Sequence, residues 1–483
     1  MTTIEQDVGM CGAKGQKIQE MAEVERERRS PPPLEGLSRE ADQGWGEGCQ
    51  PPTTVRVGTP PPTPLPQGEG ENTTTSSSTS ASTATSAPPT AMQPLSGVRV
   101  VDFTQVMMGP CATQMLGDYG ADVIKIERIG AGDLSRWSIG DDPAGPQNPV
   151  FSSLNRNKRS IALDLKSPDG IAVVHRLLAD ADVVVNNFRA GVMERMGLGY
   201  AALHDKYPRL IYAAGTGFGI EGPYAHKGGQ DILAQALTGV MARKCDTTDP
   251  LTIYPTSLAD YSAGMHLVQG ILLSLLQRER TGRGQMVAVS LYDSMLAMQM
   301  QEAAMAMMRG ADFSWGALPH NGAFATTDGA LVVVGAFKEN PLREISLAIG
   351  LDDLSADPRF CTFALSMQNR TELHDVLRAR FATNSTAHWI AALEARDLLC
   401  APVRNLLVAL DDPQTAINNM KLSAPQEGGD ELRVIGSPIH LSDDGFALRM
   451  PPPRIGAHGA EILAEHGYDR DAIAALLAKG VLA

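Results

Sequence analysis

What this chain has little of narrows its function before any motif is considered. No apolar run approaches the roughly 18–20 residues of a membrane span, so no membrane role is expected. Six cysteines (Cys11, Cys49, Cys111, Cys245, Cys361 and Cys400) are scattered over 483 residues with no C-x-x-C pair. That spacing argues against a disulfide framework or a structural zinc site and fits a reducing, cytoplasmic compartment. Positive charge is short: 41 Lys and Arg against 55 Asp and Glu leave a net charge of −14, a poor match for a protein that wraps nucleic acid. Aromatic residues are 5 % of the chain, and Trp45 is the only one before residue 103. Around it lie Pro31 to Pro33, Pro60 to Pro62 and a Ser/Thr tract from Thr73 to Thr85. Such a segment buries too little apolar surface to offset its ordering entropy, so residues 1–93 read as a disordered low-complexity tail. Its beginning lacks the apolar core of a secretory signal. Arg26, Arg28 and Arg29 are interleaved with glutamates, which argues against a transit peptide.

From Leu95 the pattern changes to β-branched runs alternating with helical stretches. Strands are expected at Val98–Phe103, Asp122–Glu127, Ser160–Leu165, Val183–Val185, Leu210–Ala214 and Gln285–Leu291. Helices are expected at Cys111–Tyr119, Pro168–Ala179, Ser262–Arg280 and Tyr292–Arg309. Continuous apolar strands separated by helices imply right-handed crossovers and a doubly wound parallel sheet, an α/β protein. Beyond Gly310, Leu331–Val334 and helices near 342–348, 370–381 and 387–395 form a smaller α+β unit, and residues 457–482 are again helical. The methionines at 295, 298, 300, 305, 307 and 308 have the spacing of a core or subunit-interface face.

Two features carry chemistry. Gly217-Phe218-Gly219-Ile220-Glu221-Gly222 matches G-x-G-x-x-G after a strand, but Pro223 follows at once and no helix opens inside it. It reads as a turn at the carboxyl end of a strand, and NAD is not expected. Asp260 precedes a long apolar helix, whose N-terminus should stabilise its anion. It is then either an ordinary N-cap or a nucleophile, and the latter needs an activated electrophile beside it.

The segments Pro94 to Thr104, Gly109-Pro110, Gly120 to Glu127, Asn157-Lys158-Arg159-Ser160 and Leu163-Asp164-Leu165-Lys166 resemble the family III CoA-transferases in order and spacing. So do Asn187-Phe188-Arg189, Arg195-Met196-Gly197, Gly217-Phe218-Gly219, Gly222-Pro223-Tyr224, Asp260, Gly264, His266, Thr281 to Gln285, Ala401-Pro402-Val403 and Gly456. That family includes the formyl-CoA, carnitine and oxalate CoA-transferases and the α-methylacyl-CoA racemases.

The resemblance implies a large Rossmann-like CoA-binding domain (94–290), a linker helix (291–316), a small α+β domain (317–412) and a second linker with a C-terminal segment returning to the large domain (413–483). Two such chains would interlock as rings in an obligate homodimer. Coenzyme A, as acyl-CoA, is the implied partner of a small carboxylic acid, with no metal. Asp260 corresponds to the aspartate that forms an anhydride and then an aspartyl-CoA thioester. Gln105, Val106, Arg128, Leu163, Lys166, Asn187, Phe188, Arg195 and Met196 correspond to CoA contacts. Arg128 and Lys166 are placed at the ends of the second and third strands, where cations suit phosphates. Asp231 supports the acyl site or caps the helix it begins. Three places depart from relatives. Asn186 stands where many carry a glutamate before Asn-Phe. Trp315 to Gly322 lacks the glycine run of formyl-CoA transferases, and Gln230 stands where racemases carry a basic histidine, a change that disfavours α-proton exchange. A racemase and a CoA-binding protein without catalysis remain the alternatives.

Overall fold

The computed structural model describes residues 92–138, 148–243, 250–335, 337–425, 431–443 and 445–483. Of the expected tail, only Met92 and Gln93 fall among them, and Cys11, Cys49 and Cys245 lie outside them. Gln93 is already tied to the folded part: its amide donates to the carbonyls of Asp118 (3.2 Å) and Gly445 (2.8 Å).

Six parallel strands form the main sheet: β1 (Arg99–Asp102), β2 (Asp122–Glu127), β3 (Lys158–Ala162), β4 (Val183–Asn186), β5 (Ile211–Thr216) and β6 (Met286–Ser290), in the spatial order β3-β2-β1-β4-β5-β6. Alternate strand residues sort onto two faces, as the two-residue period of a strand requires. Val101, Ile124, Ile161, Val184 and Tyr212 pack with Val173, Val174 and Leu177 of helix α2 (Pro168–Ala179). Val100, Val123, Val183, Val185 and Ile211 pack on the other side with Leu116 of α1 (Met108–Asp118) and Leu267 and Ile271 of α4 (Leu258–Thr281). Both faces are covered, which is why the strands read as continuous apolar runs. Helix α3 (Asp231–Leu237) precedes α4, and α5 (Leu291–Met298) follows β6.

Several expected limits move. Helix α1 begins three residues earlier than expected because Pro110 fits inside a first turn, where its missing N–H costs nothing. Strand β3 starts at Lys158 rather than Ser160 and ends at Ala162, so Lys166 lies beyond it, just ahead of α2. The methionine-rich helix is two: α5 stops at Met298, and α6 (Met300–Arg309) starts after Gln299. Met295 is fully buried, whereas α6 buries none of its residues and Met307 and Met308 are about four-fifths exposed. A core role therefore fails for α6.

A second core surrounds the antiparallel strands β7 (Asn321–Ala325), β8 (Ala330–Val334) and β9 (Leu399–Pro402). Phe324, Leu331 and Val333 pack there on α7 (Pro341–Ala348), α8 (Arg370–Phe381) and α9 (Thr386–Glu394). A short helix α10 (Leu406–Leu410) follows. The last helices, α11 (Gly459–Glu465) and α12 (Arg470–Ala478), send Ile462, Leu463 and Leu476 into the first face of the main sheet, together with Val481 and Leu482. No helix among the described residues is long and apolar enough to cross a membrane.

Candidate active site at the carboxyl ends of β1 and β4

The strand order reverses between β1 and β4, and ligands of open parallel sheets bind outside the carboxyl ends at that point. The loops leaving those two strands are joined there. The amide of Asn187, just past β4, accepts from the Gln105 N–H (2.9 Å) and donates to the Gln105 carbonyl (2.7 Å). Asn187 thus spends its side chain on the loop after β1, a use that its expected role as a CoA contact does not include.

Two cavities open on either side of this junction and share Gln105 and Phe188 in their walls. The smaller, about 320 Å³, also contains Val106, Asn187, Arg189, Lys227, Gln230 and Asp260. The larger, about 740 Å³, contains Arg128, Leu163, Lys166 and Met196. Every expected site residue is therefore brought into one continuous region except two. Arg195 is exposed and Asp231 is buried, and neither lines either cavity.

Asp260 is the third residue of α4. The N-cap position is Ser257, whose side chain makes no capping bond; instead Asp231 Oδ2 accepts from the N–H groups of Ala259 (2.7 Å) and Asp260 (3.1 Å). Asp231 is not the cap of its own helix either, because Gln230 accepts from the Ile232 N–H (3.0 Å). The other Asp231 oxygen accepts from Gln235 Nε2 (2.6 Å). Gln235 in turn bonds Tyr254 N, so the segment leading into α4 is braced by two fully packed polar side chains.

Burial, and then the negative charge of Asp231, push the Asp260 carboxyl up to about 6. This reverses the expectation that the helix N-terminus stabilises the anion: dehydration and a neighbouring carboxylate outweigh the helix dipole. Cys111, whose surroundings include Asp260, is pushed by burial up to about 11 and stays a neutral thiol.

The G-x-G-x-x-G segment lies in a loop between β5 and α3, with left-handed turns at Gly219 and Gly222, and no helix begins before Asp231. Its neck closes where Gly217 and Gly229 meet backbone to backbone, and a Cβ on either would collide with the other. No helix N-terminus is there to cradle a dinucleotide phosphate. The loop carries Lys227 into the smaller cavity, and Gly228 lies against the guanidinium of Arg189. These two cations were not singled out from the sequence as substrate groups. Arg189 sits inside a family motif and Lys227 in a loop, and nothing local says that both line the cavity of Asp260. Among the described residues no group of three or more His, Cys, Asp or Glu side chains is placed to hold a metal.

A model described as CoA-transferase family III matches residues 95–459. This chain belongs to the CoA-transferase family III. An acyl-CoA transferase of Fusarium pseudograminearum is 37 % identical over 403 residues, covering 80 % of this chain and 88 % of that protein. The succinyl-CoA:glutarate CoA-transferase of Mus musculus is 36 % identical, covering 81 % and 91 %. A formyl-CoA:oxalate CoA-transferase of Streptomyces avermitilis is 30 % identical, covering 80 % and 99 %. Among solved structures, a CAIB/BAIF family protein from Brucella suis superposes with a TM-score of 0.69 at 31 % identity, over 77 % of this chain and 99 % of that one. The family III chain is an acyl-CoA:carboxylate CoA-transferase, with CoA thioesters as its substrates.

Proposed function

We propose that Asp260 carries CoA covalently in this transferase and that the acceptor is a small dicarboxylic acid. The observation that carries the first half is the geometry of Asp260: a half-dry carboxylate on a rigid helix terminus, opening into the cavity at the switch point. Its raised proton affinity makes it a stronger nucleophile than an exposed aspartate, while at pH 7.5 it is still mostly ionised.

In the first step an Asp260 oxygen attacks the thioester carbonyl of the donor, the C–S bond breaks, and CoA leaves as thiolate. The thiolate then attacks the Asp260 carbonyl of the mixed anhydride, releasing the donor acid and forming an aspartyl-CoA thioester. The acceptor carboxylate attacks that thioester and again expels CoA thiolate, which attacks the acceptor carbonyl of the second anhydride. New acyl-CoA and free Asp260 result, with no proton consumed. Gln105 and Val106 lie at the thioester end of this reading. Arg128, Leu163, Lys166, Phe188 and Met196 line the larger cavity for the rest of CoA, with Arg195 an exposed cation outside it and Asn187 fixing the loop. Gln230, a neutral amide, offers no base for α-proton exchange.

The second half rests on Arg189 and Lys227, which line the Asp260 cavity and make no ion pair among the described residues. The Lys227 ammonium lies 4.0 Å from the Tyr224 ring centroid. Two such cations suit the remote carboxylate of a diacid, and the mouse relative's name couples two diacids. Incubation with succinyl-CoA and a panel of acids, followed by chromatography of new thioesters, tests this. Glutarate and its neighbours in length should react at least tenfold faster than butyrate, whereas equal rates for mono- and dicarboxylic acids would contradict it.

The same reading includes the two-domain, doubly linked chain and an interlocked homodimer in a reducing compartment. Outward-facing Leu273 and Leu276 of α4, each 65 % exposed, together with α6 and Leu406 and Leu407 of α10, leave apolar surface of the kind a permanent interface covers.

A further inference from the structure

Val106 has a φ of +68°, a left-handed backbone that β-branched residues almost never adopt. Its side chain is 44 % exposed, so packing does not explain either the residue or the conformation. What imposes it is a set of side chains gripping three consecutive residues. Lys125 Nζ, from β2, donates to the Thr104 carbonyl (2.8 Å). The Asn187 amide brackets the Gln105 backbone. The Val106 N–H donates to Asp133 Oδ1 (3.0 Å), which also takes the Ser135 N–H and hydroxyl, both at 2.8 Å. The second oxygen of Asp133 faces Lys125 Nζ at 2.8 Å, and both side chains are buried. Asp102, 3.3 Å from the Lys158 ammonium, and Glu127, paired with Arg136, complete the surrounding charges.

We propose that the buried Asp133–Lys125 ion pair is a positioning device for acyl-CoA: it locks Val106 left-handed and so fixes where Gln105, shared by both cavities, meets the thioester. Strain of this kind persists only where the surroundings over-determine the backbone, and it gathers where a precise loop position matters. A pair that served folding alone has no need to end on a strained, half-exposed valine at the mouth of a cavity. The inference rests on the reading that the two cavities hold acyl-CoA. Asp133 and Lys125 touch no substrate in it; they are positioning residues, invisible in the sequence because Asp133 lies in a loop and Lys125 in an otherwise apolar strand.

The test is a double-mutant cycle read by calorimetric titration with CoA and by thermal melting of the full chain. Asp133→Asn should weaken CoA binding at least tenfold in the wild-type background. Glycine adopts the left-handed conformation freely, so in a Val106→Gly background the same substitution should cost less than threefold. Val106→Gly alone should melt no lower than the parent, because strain is released. Equal losses in both backgrounds, or a lower melting temperature for Val106→Gly, would overturn the inference. Should Asp133→Asn fail to fold, Val106→Pro decides alone, since proline excludes positive φ. At least tenfold weaker CoA binding is expected in a chain that still melts cooperatively, if at a lower temperature because the Val106 N–H to Asp133 is lost, and unchanged binding would overturn the proposal. A parent chain that binds no CoA at all would instead sink the assignment of the cavities.

Discussion

At the scale of one residue, Asp260 shows how burial and a neighbouring charge set a reactive state. A folded-state proton affinity near 6, above the ordinary 3.8, means the native protein holds a proton that the unfolded chain has released between those pH values. The group therefore lowers stability as pH rises from about 4 through 6 and leaves the protein strained at neutral pH, by about 1–3 kcal/mol. Asp260→Asn should abolish CoA transfer, by at least a thousandfold, yet melt a few degrees higher than the parent at pH 7.5, with the difference vanishing below pH 4. A variant that melts lower at pH 7.5 would show the carboxylate to be a structural support.

The transfer rate of the parent should fall about tenfold per pH unit below pH 6, because only the anion attacks. In Asp231→Asn that acid limb should move to lower pH, since one of the two causes of the shift is gone; a limb that stays at 6 would assign it to burial alone. None of this was legible in the sequence. The Asp260 motif was, but the charge that perturbs it sits 29 positions away, on Asp231, whose carboxylate accepts from the Ala259 and Asp260 N–H groups.

At the scale of elements, the site depends on how closely α4 lies on α1. A Cβ at Gly264 would sit 2.7 Å from the Met108 carbonyl oxygen, so no larger residue fits without separating the helices. Gly264→Val should cost about 1–3 kcal/mol by overpacking. Gly264 is one turn beyond Asp260, so transfer should also drop more than tenfold; unchanged kcat with a lowered melting temperature would uncouple this contact from the site.

The elements themselves were unevenly legible. β2 and α2 keep the limits read from sequence. β2 carries the β-branched residues Val123, Ile124 and Ile126 straight after Gly120-Ala121, and α2 opens on Ser167-Pro168, where the Ser167 hydroxyl accepts from the Asp169 N–H. The break at Gln299 between α5 and α6 carries no proline or glycine and could not be read. Nor could the Val106 strain, since valine is the residue least expected in a left-handed turn.

At the scale of the whole molecule, the parallel sheet was legible because both of its faces are covered. What covers one face was less so: it includes Ile462, Leu463, Leu476, Val481 and Leu482 from the far end of the chain. Burying each contributes about 1.5–3 kcal/mol, together comparable with the entire stability of an ordinary protein. Removal of residues 459–483 should leave an insoluble or unfolded chain. A soluble, cooperatively melting truncation would show the sheet to be self-sufficient.

The charged groups packed against the carboxyl ends of β1 and β2 were also missed. A lysine in a strand such as Asp122–Glu127, apolar on either side of it, has to find a carboxylate inside, and here Lys125 finds Asp133. That interior pair links the sheet to the reactive loop.

The most direct measurement of the central claim is the mass of the peptide containing Asp260 after incubation with succinyl-CoA and quenching with hydroxylamine. Attack on an aspartyl thioester or anhydride leaves a hydroxamate on Asp260, one oxygen exchanged for NHOH, and that labelled peptide is the predicted result. An unlabelled Asp260 peptide from a preparation that is actively transferring CoA would contradict the account.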